Sequence, residues 1–343
     1  MGSSCTALPV SRGGLGIRAA THVALPAFLS SVTSAESLTV QLLPPRLHPS
    51  AGTSDPLFEQ AVIEWQLRSN AALPNLPQRA IQKAWDSPLL DVVSARVLSA
   101  AQTQAGFARL TAAAAPFAGA FLEAIPCSAV GTRMDNSSFR IAVALRLGAE
   151  ICSPHNCICG APVDSSGVHG LSCRKSSGRQ IRHSAVNGII KRALASAEVP
   201  ARLEPSSLSR DDGKRPDGMS LMPWKEGRCL IWDFTCADTL AQSHLDRAVL
   251  RAATVADDAE QRKRQKYVSL SATYYFVPIC IETLGPMGEE AAAFFADVGQ
   301  RIATATGEPR SKTFLMQRLS IAVQQGNAAC VLGTVPVSTD LYI

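Results

Sequence analysis

The chain has 343 residues, 46% of them hydrophobic and 18% charged, with a net charge of +5. That length accommodates two domains with cores of their own, and that apolar content excludes a wholly disordered chain. No stretch has the layout of a secretory signal, and the ten cysteines form no disulfide framework, which excludes a small secreted scaffold and fits a reducing compartment.

Residues 1 to about 150 read as mostly helical. Residues 1–6 match a myristoylation pattern, but so short a pattern recurs by chance and no other feature points to a membrane. The Pro-rich stretch 42–56 reads as a linker. Ser54-Asp55-Pro56 supplies a cap and a first-turn proline for a helix carrying Phe58, Val62, Trp65 and Leu67. Pro77 precedes a second helix, from 78 to about 85. Ser87-Pro88 opens a third, with Leu89, Val92, Val93, Val97 and Leu98 on its apolar side. The most membrane-like run is 110–130, but Pro116, Glu123 and Pro126 interrupt it, and it reads as a buried, broken helix. A short helix over 139–147 leads into a cysteine-rich loop. No internal repeat is visible.

Cys157 and Cys159 are followed by His169 and Cys173, with Gly160 and Gly167 punctuating the loop. Three thiolates and an imidazole form a tetrahedral donor set suited to structural Zn²⁺. The Cys-x-Cys spacing is tighter than usual, and Cys152 is an alternative ligand. The bland alternative is a cluster of core cysteines.

A basic strip follows. Between Arg174 and Arg215 there are ten Lys or Arg against four acids, so the excess of the whole chain lies here. Such a strip neutralises phosphates, or is simply a solvated helix face. Within it, 184–196 is helical, with Val186, Ile189, Ile190 and Leu194 at helical spacing. Residues 201–204 form a short extended segment.

The next segment carries the chemistry. Arg215-Pro216-Asp217 opens one apolar run, Lys225-Glu226-Gly227 reads as a turn, and Asp233 ends a second run. A three-residue loop sets Asp217 opposite Thr235, with Asp233 its diagonal neighbour on the same face, roughly 7–8 Å away between backbones. A two-residue loop sends the acids to opposite faces. A shared metal therefore requires the odd loop or a bulge near Pro216 or Pro223. Two acids that meet can hold one divalent ion, as in metal-dependent nucleases. Taken alone, Asp217 is equally a turn residue after proline and Asp233 a strand-end residue. A long charged helix over 241–267, a buried strand over 274–281 and helices over 289–304 and 311–325 complete an α/β core with a central sheet.

The order of cysteine–histidine loop, Arg-x-x-Arg-His, Arg-Pro-Asp and an acid after an apolar strand resembles the restriction-like endonuclease end of non-LTR retrotransposon polyproteins. Those nucleases resemble the PD-(D/E)xK superfamily. The matching stretches are 157–173, 179–183, 214–217, 231–233 and 263–267, so the likeness covers the second half. Residues 8–18 resemble the segment after the reverse transcriptase core in such polyproteins. Asp257-Asp258 mimics the polymerase's own acid pair, but its neighbours have helical composition.

The resemblance implies a mixed α+β and α/β fold: a helical region (1–150), a zinc-binding loop (151–178), a restriction-like core of a mixed sheet flanked by helices (179–310) and a C-terminal helix and tail (311–343). It implies catalytic Mg²⁺ on Asp217 and Asp233, with Glu204 as a further carboxylate. Thr235 stands where many relatives carry lysine, so the resemblance moves that role to the following helix, to Lys266 first and Lys263 second. Arg179, Arg182, His183, Lys214 and Arg215 would contact nucleic acid. The implied partners are DNA, element RNA and the reverse transcriptase region of the same element, in the nucleus and without a membrane. The implied activity is nicking of DNA to prime reverse transcription; the alternative is a zinc-dependent nucleic-acid-binding remnant without chemistry.

Overall fold

The structure is a computed structural model and describes residues 2–44, 55–208 and 215–335. The linker expected over 42–56 lies mostly outside the described residues, as does Lys214. The chain divides into two compact units, one of residues 1–9 and 14–101, the other of residues 10–13 and 102–343.

The first unit is helical: α1 (Gly2–Ala7), α2 (Ala20–Leu42), α3 (Pro56–Ser69), α4 (Leu76–Arg79) and α5 (Gln82–Ser99). Asp55 caps α3 by accepting the Leu57 N–H at 2.9 Å, with Pro56 in the first turn. Trp65 and Trp85 are fully buried and meet edge to face at 5.1 Å. The Trp65 indole donates to the Trp85 carbonyl at 2.7 Å, and the Trp85 indole to the Arg79 carbonyl at 2.7 Å. This pair corrects the expected boundaries. The helix expected over 78–85 is broken after Arg79, and Pro88 lies inside α5 rather than opening a helix. Burial of Trp85 just before the proline offsets the hydrogen bond that Pro88 cannot make.

The second unit contains α6 (Gln104–Ala113), α7 (Ala120–Glu123) and α8 (Asn136–Leu147), then the short strands β1 (His155–Asn156) and β2 (Pro162–Val163) and the one-turn helix α9 (His169–Ser172). Next come α10 (Gly178–Ser196), β3 (Ala201–Leu203), β4 (Gly218–Lys225), β5 (Arg228–Ala237), α11 (Leu245–Ala248), α12 (Thr254–Lys266), β6 (Tyr275–Glu282), α13 (Glu289–Thr306) and α14 (Ser311–Leu332). The run 110–130 is indeed broken, between α6 and α7. Among the described residues no helix is long and apolar enough to cross a membrane.

The sheet order is β3-β4-β5-β6, antiparallel except for the parallel pair β5–β6. The fold is thus α-rich with a mixed four-stranded sheet. Trp232 and Phe234 from β5 join Val277, Ile279 and Ile281 from β6 in the main core, against Ile190 and Leu194 of α10, Phe295 of α13 and Leu319 of α14. β6 is buried along almost its whole length, as its continuous apolar run predicts.

The long helix expected over 241–267 is interrupted. α11 stops at Ala248, and α12 starts afresh at Thr254 after Ala253, its N-cap, at φ +69°. Buried Glu282 rewards that break by accepting the Ala256 N–H at 3.2 Å, a carboxylate at a helix N-terminus. Glu260 does the same for α13, accepting the N–H groups of Cys280, Glu290 and Ala291 at 2.9 to 3.1 Å.

Burial pushes both carboxyls up to about 7, against an ordinary value of 4.5. Raised acids make the folded state bind more protons than the unfolded chain. Stability is therefore expected to fall as pH rises from about 4.5 to about 7, each group contributing at most roughly 1.4 kcal/mol per pH unit. Glu282→Gln keeps its bonds, because the Thr239 hydroxyl that donates at 3.0 Å can accept instead. That variant should lose the share of the slope that Glu282 contributes in urea-unfolding midpoints measured from about pH 4.5 to 7. An unchanged slope contradicts this account of Glu282.

Candidate functional site

The hairpin register decides whether the acids meet. Lys225 pairs with Arg228, so the loop has two residues, Glu226 and Gly227, at φ +52° and +70°. The expected three-residue loop is thereby corrected. The register then shifts on both sides of Pro223. Pro223 has no N–H to give, and Ser220 Oγ enters the ladder there, accepting the Leu230 N–H at 2.9 Å and donating to the Met222 carbonyl at 2.7 Å. Beyond these bulges Gly218 pairs with Trp232. Just before this pair the Asp217 N–H donates to the Trp232 carbonyl at 2.9 Å, so Asp217 lies at the mouth of the ladder next to Asp233.

Asp217 is held from three directions. Its Oδ2 accepts the Phe234 N–H at 2.6 Å and lies 3.1 Å from His183 Nε2. Asn187 hydrogen-bonds it as well. Burial pushes its carboxyl up, but the His183, Phe234 and Asn187 bonds outweigh burial and hold it below the ordinary range. Its bond to His183 in turn raises the imidazole above its usual value, against the opposing effect of burial. Asp233 is buried on β5 and accepts a hydrogen bond from Lys263 Nζ, which also lies 3.5 Å from the Phe234 carbonyl. Burial raises the Asp233 carboxyl, and Lys263 only partly opposes this. The two environments push the acids apart, one down and one up.

The basic residues sort differently from expectation. Lys263, the second choice for the helix-borne lysine, is the one on the acid. Lys266 donates to the Tyr267 hydroxyl at 2.9 Å and stands 4.4 Å over its ring. Glu204 does not join the carboxylates: at φ +48° its side chain turns outward to pair with Arg215, and its backbone N–H donates to the Asp217 carbonyl at 2.8 Å. Arg182 is 2% exposed and donates to Asn327, so it is turned inward and not out along the basic strip. α10 turns it inward onto Gly326, where a Cβ would stand 2.4 Å from Arg182 Cβ. Arg179 is exposed, and His183 faces Asp217.

The cysteine loop brings its four residues together. Cys157 and Cys159 sit on the turn between β1 and β2, closed by the Gly160 N–H bonding Cys157 O at 2.8 Å with Gly160 at φ +89°. His169 and Cys173 bracket α9. The four ligand atoms all lie within 4.8 Å of one another. Sulfurs around a tetrahedral zinc stand roughly 3.8 Å apart; Cys157 and Cys173 are 3.7 Å apart, and Cys159 Sγ is 3.2 Å from His169 Nε2. The cluster can hold a metal such as zinc. Burial raises the Cys157 thiol, while the Ala161 N–H brings Cys159 down to about 6. Cys152 is not in the set: its Sγ lies 3.6 Å from the Asp164 carbonyl.

Asn187 went unnoticed in the sequence. Asn187 accepts the Trp232 indole N–H at 2.9 Å and so locks α10 to β5 beneath the acids. Its place four residues after His183, on one helical face, was the available signal.

No protein-family model matches the chain, and no curated protein has a significantly similar sequence.

Proposed function

We propose that the second unit is a Mg²⁺-dependent DNA endonuclease module. The observation that carries this reading is the Asp217 carboxylate bonded to the Phe234 N–H, one residue from Asp233, with Lys263 on the second acid. Mg²⁺ is commonly bound by one or two carboxylates, with water and substrate phosphate completing its shell, so two acids suffice. Bound there, the ion would lower the pKa of water and polarise the scissile phosphate. His183 and the Phe234 N–H hold Asp217 in one orientation. Lys263 is placed to offset charge developing on the phosphorane. In the hydrolysis, the water oxygen bonds to phosphorus and the P–O3′ bond breaks. The proton passes to the 3′ oxygen, leaving a 3′ hydroxyl and a 5′ phosphate. By the retrotransposon resemblance, that 3′ end primes reverse transcription by an upstream polymerase, in the nucleus and on element RNA.

The test is supercoiled plasmid incubated with the protein and Mg²⁺. Wild type should yield open circles, and Asp217→Ala should be slower by on the order of a hundredfold or more. Equal nicking by that variant refutes the assignment. A second reading is favoured by the direct ion pair between Lys263 and Asp233, which engages an acid that metal would need. On that reading the protein is a zinc-dependent nucleic-acid-binding remnant, and salt-sensitive DNA binding without nicking selects it.

A further inference from the structure

A polar cavity of about 340 Å³ opens beside the acid pair, between residues 174–183 and β5. His183 and Phe234 belong to both the cavity and the Asp217 site. Arg174, Arg179 and Arg182 line it with Ser176 and Gln180, and no acidic side chain does. Arg174 and Arg179 are exposed and have no ion-pair partner among the described residues. The cavity also receives the start of α10, a 19-residue helix with no acid in its first turn and no side-chain cap.

Two buried polar atoms in this wall lack partners among the described residues. Arg182, 2% exposed, spends one terminal nitrogen on Asn327 and feels the charge of Asp238, yet its Nε bonds to nothing. Ser176 Oγ is likewise buried and unpaired. Buried donors without acceptors are costly, and a bound anion would satisfy them once the wall yields slightly around it. Two exposed guanidinium groups, with the Arg182 charge behind them and a positive helix end, suit a compact anion with several oxygens. A phosphomonoester has three free oxygens and a charge near −2, which fits this set better than the singly charged phosphodiester of an unbroken strand.

We infer that this cavity binds the 5′-terminal phosphate of a nucleic-acid strand. The inference deepens the endonuclease reading and takes from it only the identity of the end, since that hydrolysis leaves the phosphate on the 5′ side. The cavity would retain the downstream end beside the acids after cutting.

The test is binding of fluorescent single-stranded 10-mers to the full chain without Mg²⁺, so nicking plays no part. A 5′-phosphorylated strand should bind at least about tenfold more tightly than its 5′-hydroxyl twin, and more tightly than a 3′-phosphorylated strand. Arg174→Ala/Arg179→Ala should reduce the preference to about twofold or less at unchanged melting temperature; both residues are exposed. Arg192→Ala removes a charge from the same helix outside the cavity and should leave the preference intact. Equal binding of phosphorylated and hydroxyl strands overturns the inference. So does a preference for the 3′ phosphate, or one that survives the double variant. Inorganic phosphate that competes as well as the phosphorylated strand would show a free-anion site and overturn it too. Loss of nicking in Asp217→Ala bears on the endonuclease reading alone.

Discussion

Cys173→Ser is expected to release the metal and loosen the segment that carries Arg174 and Arg179. Purified wild type should contain about one zinc per chain, and the variant much less. Isolated zinc fingers gain about 10–16 kcal/mol from the ion. Only part of that should appear here, because the loop has a second support. Leu171 of α9 is buried with Ile141, Leu145 and Val331. Gly170 and Gly178 lie so close to the α14 backbone that a Cβ would stand 2.6 Å from Cys330 O and 2.4 Å from Cys330 N. A cost of several kcal/mol lowers the melting temperature by roughly 10 °C in a unit of this size. Cys152→Ser is the control and should keep its zinc, since that sulfur faces carbonyls instead. If Cys173→Ser melts like wild type and keeps its metal, the four side chains are an ordinary core cluster.

Lys263→Met should be the second costly change. It leaves the Asp233 carboxylate, whose side chain is 7% exposed, without its ammonium partner. Breaking a buried pair from one side costs roughly 3–5 kcal/mol. Asp233→Asn in the same chain should recover most of that loss, giving a strongly non-additive double-mutant cycle. Magnesium supplies a sharper readout. If the acids take a divalent ion, millimolar Mg²⁺ should raise the urea midpoint of Lys263→Met more than that of wild type, because the ion replaces the missing positive charge. Additive single effects, with no response to Mg²⁺, would remove both the pairing energy and the metal site from consideration.

Much of the architecture could be read from residue patterns where local chemistry decides it. Asp55-Pro56 starts α3, the apolar run ending at Ile281 is β6, and the spacing of Cys157, Cys159, His169 and Cys173 marks one cluster. What escaped was set by partners distant in sequence. Pro88 is tolerated in α5, whose first turn is anchored by the buried Trp65–Trp85 pair. The break at Ala253 is favoured by Glu282, from a strand well downstream. The register that brings Asp217 beside the end of β5 shifts at Pro223, where the Ser220 hydroxyl substitutes in the ladder. That the acids required a bulge near Pro223 was legible; which group sustains it was not. Arginine composition alone could not separate Arg182, drawn inward to Asn327, from Arg179, left in solvent. Nor could it show that Glu204 would be drawn away from the acids by Arg215.

α14 has a consequence for synthesis on the ribosome. Leu315, Met316, Leu319 and Val323 fill the main core, and Ala328, Cys330 and Val331 fill the neighbouring one. α7, α8, α9, α10 and α13 all pack against this one helix. A nascent polypeptide arrested before residue 311 therefore presents five helices with their oily sides unclaimed, the kind of exposed surface on which aggregation starts.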